Sequence, residues 1–147
     1  MAIKSFTKVK RYLNSISGIA SGGCALSALA MYRWLIQNGK LTPETCFYYC
    51  YLGYCDESFY KQNARALENK DRPTGCMHAI LYHKNKYFDC EKLVDISQYR
   101  WLQKIVDENF VVESFNNIDC WNNMFNRDCI SEIQRILDID LSDIVIE

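Results

Sequence analysis

The sequence predicts an α+β domain in which one buried helix packs on a small antiparallel sheet, with further helices toward the C-terminus. Three observations predict it. From Cys24 to Ile36 nearly every position is apolar or small, and a helix without a polar face lies inside a domain. Thr45 to Leu52 is dense in aromatic residues, with Phe47, Tyr48, Tyr49 and Tyr51, which suits a strand covered on both faces. Met77 to His83 and Lys86 to Cys90 read as two strands joined by a tight turn.

Taken in order, Ile3, Phe6, Val9, Tyr12, Leu13 and Ile16 recur at three-and-four spacing, an amphipathic helix with its basic face to solvent. Ser17-Gly18 ends it, and Ser21-Gly22-Gly23 forms the loop that leads into the central helix. That helix runs from Cys24 to about Asn38, where Asn38-Gly39 supplies a C-terminal stop. Leu41-Thr42-Pro43 then turns the chain toward the aromatic strand. Phe59, Tyr60, Ala64 and Leu67 mark the apolar edge of a short helix, and residues 69–75, with Pro73 and Gly75, form a loop. The hairpin turn is Lys84-Asn85 or Asn85-Lys86, where Asn85 tolerates positive φ. Leu93, Ile96, Tyr99, Leu102, Ile105 and Val106 recur at helical spacing, and Ile130, Ile133, Ile136 and Leu137 mark a last helix. Asn116 to Arg127 is Asn-rich and reads as irregular.

At 147 residues and 49% hydrophobic content, the chain reads as one domain, residues 1–147, able to bury roughly 70% of its unfolded surface. Seventeen Lys and Arg against 18 Asp and Glu give a net charge of −1, a poor match to nucleic acid. Lys4, Lys8, Lys10 and Arg11 have no continuous apolar run behind them, so neither a signal peptide nor a membrane anchor is expected, and the reading is cytoplasmic. In that compartment the eight cysteines are expected to be reduced thiols. The share of Asn, Lys, Ile and Tyr is that of an AT-rich genome such as a virus or phage, which would make the location a host cytoplasm.

Cys24 follows two glycines and opens the central helix, so its thiol sits where unpaired N–H groups and the helix dipole favour a thiolate. In a two-residue hairpin centred on Lys84-Asn85, partner numbers sum to 169; on Asn85-Lys86 they sum to 171. Either turn puts His78 and Asp89 on one face as diagonal or more distant neighbours, ~7–8 Å between Cα atoms in the closer case. A three-residue turn would point Asp89 away. Glu91 shares the face under the two-residue reading and is the second candidate acid. A thiol at a helix start, an imidazole at a strand start and a carboxylate on the next strand make the set a thiol nucleophile needs. The imidazole takes the proton, the carboxylate fixes its tautomer, and helix-start N–H groups hold the oxyanion.

With Gly22-Gly23-Cys24 opening an Ala-rich helix, Gly39 ending it, an aromatic strand closing on Gly53-Tyr54, His78-Ala79 opening a strand and Asp89 on its partner, the chain resembles the transglutaminase-like branch of the papain-like thiol enzymes. The likeness covers roughly residues 20 to 91. It implies a papain/transglutaminase-like core with Cys24 as nucleophile, His78 as base and Asp89 as orienting acid. It also implies acyl transfer on a peptide, isopeptide or side-chain amide, as peptidase or amidase first and transamidase as the variant. The partner is then a protein or peptide substrate, with no cofactor.

Two other classes compete. Cys46, Cys50, Cys55, Cys76, Cys90 and His78 offer thiolate and imidazole ligands, but Cys46-x3-Cys50-x4-Cys55 lacks the paired knuckles of zinc sites, and no metal is expected. The third class is a catalytically inactive domain of the same fold that acts as a protein-binding or inhibitor module.

Overall fold

The computed structural model describes residues 3–19, 22–51, 76–99, 101–117 and 127–145. The expected short helix and loop between 55 and 75, Gly53-Tyr54, and most of the Asn-rich stretch lie outside them. The described residues form an α+β arrangement of four helices and a four-stranded antiparallel sheet in the order β3-β2-β1-β4. Helix α1 spans Phe6–Asn14, α2 Cys24–Gln37, α3 Glu108–Asn117 and α4 Arg127–Leu137. Strand β1 spans Cys46–Tyr51, β2 Cys76–His83, β3 Lys86–Phe88 and β4 Trp101–Ile105.

Helix α1 starts where Ser5 accepts the Lys8 N–H at 3.2 Å, a side-chain N-cap. It turns Val9 and Leu13 inward. Helix α2 is buried at every position from Cys24 to Met31 and again at Trp34 and Leu35, and the other three helices pack around it. Its end is closed by Lys40 N–H on Leu35 O at 2.9 Å and Gly39 N–H on Ile36 O at 3.1 Å, with Gly39 at φ +65°. That pair of bonds is a Schellman motif, whose left-handed residue only glycine adopts without strain.

Phe47, Tyr49 and Tyr51 of β1 join Ala79 and Leu81 of β2 in the core that contains α2. On the opposite face Cys50, Ile80 and Val94 form a smaller cluster bordered by Tyr48, Tyr87 and Leu102. The aromatic strand is therefore covered on both sides. Lys84 and Asn85 both have positive φ, 49° and 63°, and His83 pairs with Lys86, Tyr82 with Tyr87 and Leu81 with Phe88. The turn is thus the two-residue type I′ centred on Lys84-Asn85, the sum-169 register.

Two expectations are corrected. Residues 93–106 are not a helix: a short 3-10 turn at Ile96–Gln98 is followed by β4, paired with β1 from Phe47↔Ile105 to Tyr51↔Trp101. The open edge of β1 offers five residues of ladder, and pairing there outweighs the local three-residue spacing. The helix lies immediately after, at α3, where Asp107 Oδ1 accepts the Asn109 N–H at 3.0 Å and Val111, Val112 and Phe115 are buried. Strand β3 is also shorter than expected and ends at Phe88.

Beyond α4, Ile139, Leu141 and Ile144 return to the core. Arg33 of α2 holds this segment: its guanidinium meets both oxygens of Asp143 at 2.8 and 2.7 Å, Glu108 Oε2 at 3.1 Å, and the Asp140 carbonyl. Among the described residues no helix is long and apolar enough to cross a membrane.

Candidate active site

Cys24 is the first residue of α2, after Gly22 at φ +105° and the N-cap Gly23. Only glycine takes that φ freely, and a glycine cap has no side chain to bond the first-turn N–H groups. The first bond within the helix is Ser27 N–H to Gly23 O at 2.9 Å, so the N–H groups before it are directed out of the helix start toward the thiol's surroundings. Cys24 is 7% exposed.

His78 lies near the start of β2, paired across the ladder with Cys50 of β1. The structure brings its ring to both partners. Nε2 meets Asp89 Oδ2 at 3.0 Å, and the Cys24 thiol lies close enough to the same imidazole to help raise its pKa. Since Nε2 is taken by the carboxylate, Nδ1 is the nitrogen that serves the sulfur. Burial works against a charged ring here, but the bonds to Asp89 and Cys24 and their negative charge outweigh it and raise the His78 pKa to about 9.

Asp89 is not on the strand, as expected, but one residue past the end of β3. It sits in a turn whose amides hold it: Oδ1 accepts the Glu91 and Lys92 N–H groups, both at 2.8 Å, and its own N–H bonds Lys92 O at 3.2 Å. Burial would raise its pKa, yet the bonds from His78, Lys92 and Glu91 hold it below the ordinary carboxylate value. The acid is ionised, and both its oxygens are oriented. Glu91, the second candidate, contributes a backbone N–H, and its side chain is exposed.

Sequence reasoning missed this turn. Its signal was present, because Asp followed by amides two and three residues on is a common side-chain-to-backbone turn. It also missed Ser27 and Cys90. Ser27, one helical turn after Cys24, is 1% exposed, and its buried hydroxyl has no hydrogen-bond partner among the described residues; Cys90, next to Asp89, is buried as well.

The other thiols differ from Cys24 in their surroundings. Cys24, Cys46, Cys50, Cys90 and Cys129 are all free. Burial, helped by the nearby Cys24, pushes Cys50 up to about 12, and burial raises Cys46 and Cys90 as well. The second imidazole, His83, is apart from the site: it is buried, with Nδ1 2.8 Å from Thr45 Oγ1, and burial followed by Lys84 lowers its pKa. Among the described residues no three metal-ligating side chains are grouped; Cys55 and the Cys76 side chain lie outside them.

A buried sulfur, an imidazole poised to exchange its proton and an ionised, anchored carboxylate form a connected row that can generate a thiolate–imidazolium pair. No family model, no curated protein and no solved structure matches the chain.

Proposed function

We propose that the protein is a thiol-dependent acyl-transfer enzyme with a papain/transglutaminase-like core, acting on a peptide, isopeptide or side-chain amide. One observation supports this reading above the others: a single imidazole bonds Asp89 through Nε2 and lies near the thiol at the start of a buried helix. In the reaction the Cys24 thiolate adds to the amide carbonyl, and the oxyanion is held by N–H groups at the α2 start. Collapse of the adduct breaks the C–N bond, with His78 giving its proton to the departing amine. The resulting thioester is attacked by water or by a second amine, from which His78 takes a proton, and Cys24 leaves as thiolate. Hydrolysis is the first choice and transamidation the variant. Access of water to the thioester decides between them.

The inactive binding-module reading is favoured by one observation, the 7% exposure of Cys24, since attack needs room for a carbonyl. An electrophilic peptidyl probe followed by intact-mass analysis separates the two. Labelling confined to Cys24, abolished by Cys24→Ala and slowed by His78→Ala, supports the enzyme. Labelling of Cys46 or Cys50 ahead of Cys24 in the folded protein removes it.

A further inference from the structure

The net charge of −1 conceals a separation of charge along the chain. Residues 1–43 carry Lys4, Lys8, Lys10, Arg11, Arg33 and Lys40 and no carboxylate, whereas ten of the 18 acids lie from Asp107 onward. Arg33 is consumed by Glu108 and Asp143. Lys4, just before the N-cap of α1, and Lys8 and Arg11 on the helix are exposed and enter no ion pair among the described residues. Lys8 lies in the first turn, where a cation opposes the helix dipole, whereas Arg11 lies in the last turn, where a cation suits it. The first turn of α1 contains no acid to offset Lys8.

A second cationic element adjoins them. Phe6 of α1 packs on His83 at 5.9 Å and on Phe88 at 5.2 Å between ring centroids, and Lys10 Nζ lies 4.7 Å from the Phe88 ring centre. This joins α1 to the hairpin, whose turn exposes Lys84 and Lys86. Lys84 occupies φ +49°, a position that Asn or Gly fills with less strain. Asp89 of the candidate site follows Phe88 directly. The exposed carboxylates nearest in sequence, Glu44 and Glu91, make no ion pair among the described residues.

We propose that α1 and the hairpin turn form a docking surface for an acidic segment of the polypeptide substrate, engaged by Lys4, Lys8, Lys10, Arg11, Lys84 and Lys86 beside the candidate site. The proposal rests on the acyl-transfer reading for the identity of the bound chain as substrate. Lysine point charges suit flexible carboxylates, which demand no planar fork. Nucleic acid fits less well: the surface offers one arginine, and Phe6 and Phe88 are packed against each other and not free to stack. A lipid surface also fits less well, because the apolar face of α1, with Val9 and Leu13, is used by the core.

The test is binding of a fluorescent peptide of alternating Glu and Gly, against its Gln counterpart and a single-stranded oligonucleotide of equal length. The Glu peptide is expected to bind the protein and its Cys24→Ala variant equally. Affinity is expected to fall by about tenfold or more between roughly 50 and 300 mM salt. The triple variant Lys4→Glu/Lys8→Glu/Arg11→Glu is expected to lose binding, keep its melting temperature and keep its labelling by a neutral probe. Equal binding by the triple variant, or tighter binding of the Gln peptide or of the oligonucleotide, overturns the proposal. Failure of the acyl-transfer reading shows separately, as absence of Cys24 labelling with peptide binding intact.

Discussion

Only two histidines are present, and they are displaced in opposite directions from the ordinary value of 6.5, His78 to about 9 and His83 downward. Asp89→Asn tests the cause of the first. A rise from 6.5 to about 9 corresponds to ~3 kcal/mol favouring the imidazolium in the folded state. Asp89 and Cys24 supply it jointly. Asparagine keeps an oxygen for the Glu91 and Lys92 amides but can present an NH2 group to Nε2, which then becomes the acceptor, with the proton on Nδ1. Two consequences follow. The upper titration midpoint moves down toward 6.5, and turnover falls by ~10²–10⁴ because the neutral ring can no longer accept the thiol proton. The pH sign is set by the raised pKa. The stability contributed by protonated His78 is complete below 6.5 and is lost as pH rises through about 9, so the variant's stability deficit shrinks over that interval. Histidine ring-proton NMR across pH 4 to 10 reads both midpoints at once. If wild-type protein shows both histidines near 6.5, or Asp89→Asn leaves the upper midpoint in place, the Asp89–His78 coupling is wrong.

Inserting one Gly after Asn85 breaks the type I′ turn and shifts β3 by one residue; Asp89 then leaves His78, and both turnover and the high histidine midpoint are expected to be lost. Arg33→Ala removes the contacts to Glu108, Asp143 and Asp140 O; with the carboxylates partly exposed, the expected loss is about 2 kcal/mol in denaturant unfolding. Labelling of Cys24, roughly 13 Å away along the helix, is expected to persist. His83 has a lowered pKa, so its contribution is present above 6.5 and is lost as pH falls below it; His83→Gln should flatten the stability profile between about pH 4 and 6.5, and an unchanged profile refutes the assignment.

The parts legible in the sequence are those whose pattern admits one structure. An apolar run without a polar face has no place except inside, so α2 is readable to within a residue of its end. The hairpin is readable because Asn85 accepts positive φ and a two-residue turn fixes the parity of everything after it. Residues 93–106 are misread because Leu93, Ile96, Tyr99, Leu102 and Ile105 fit a helix locally, while the pairing that makes 101–105 a strand depends on the distant edge of β1. Helix α3 is the converse: Asp107 with Val111, Val112 and Phe115 is a capped amphipathic pattern, obscured by the helix assigned just before it. At the candidate site the positions of Cys24, His78 and Asp89 are readable, but the turn amides that anchor Asp89 are not side chains and leave only a faint trace.

The Arg33 clamp bears on how the molecule is made. Its bidentate partner, Asp143, lies 110 residues later in the chain, so during synthesis α2 is translated with a cation whose two acidic partners, Glu108 and Asp143, both follow much later. Until residues 140–143 emerge, α2 settles only with Arg33 short of its bidentate partner, which weakens the forming core. Closure is then a late, long-range event whose loop entropy slows it. The candidate nucleophile rides on the same helix, so the site and the segment from Asp140 to Asp143 are tied to one late docking event.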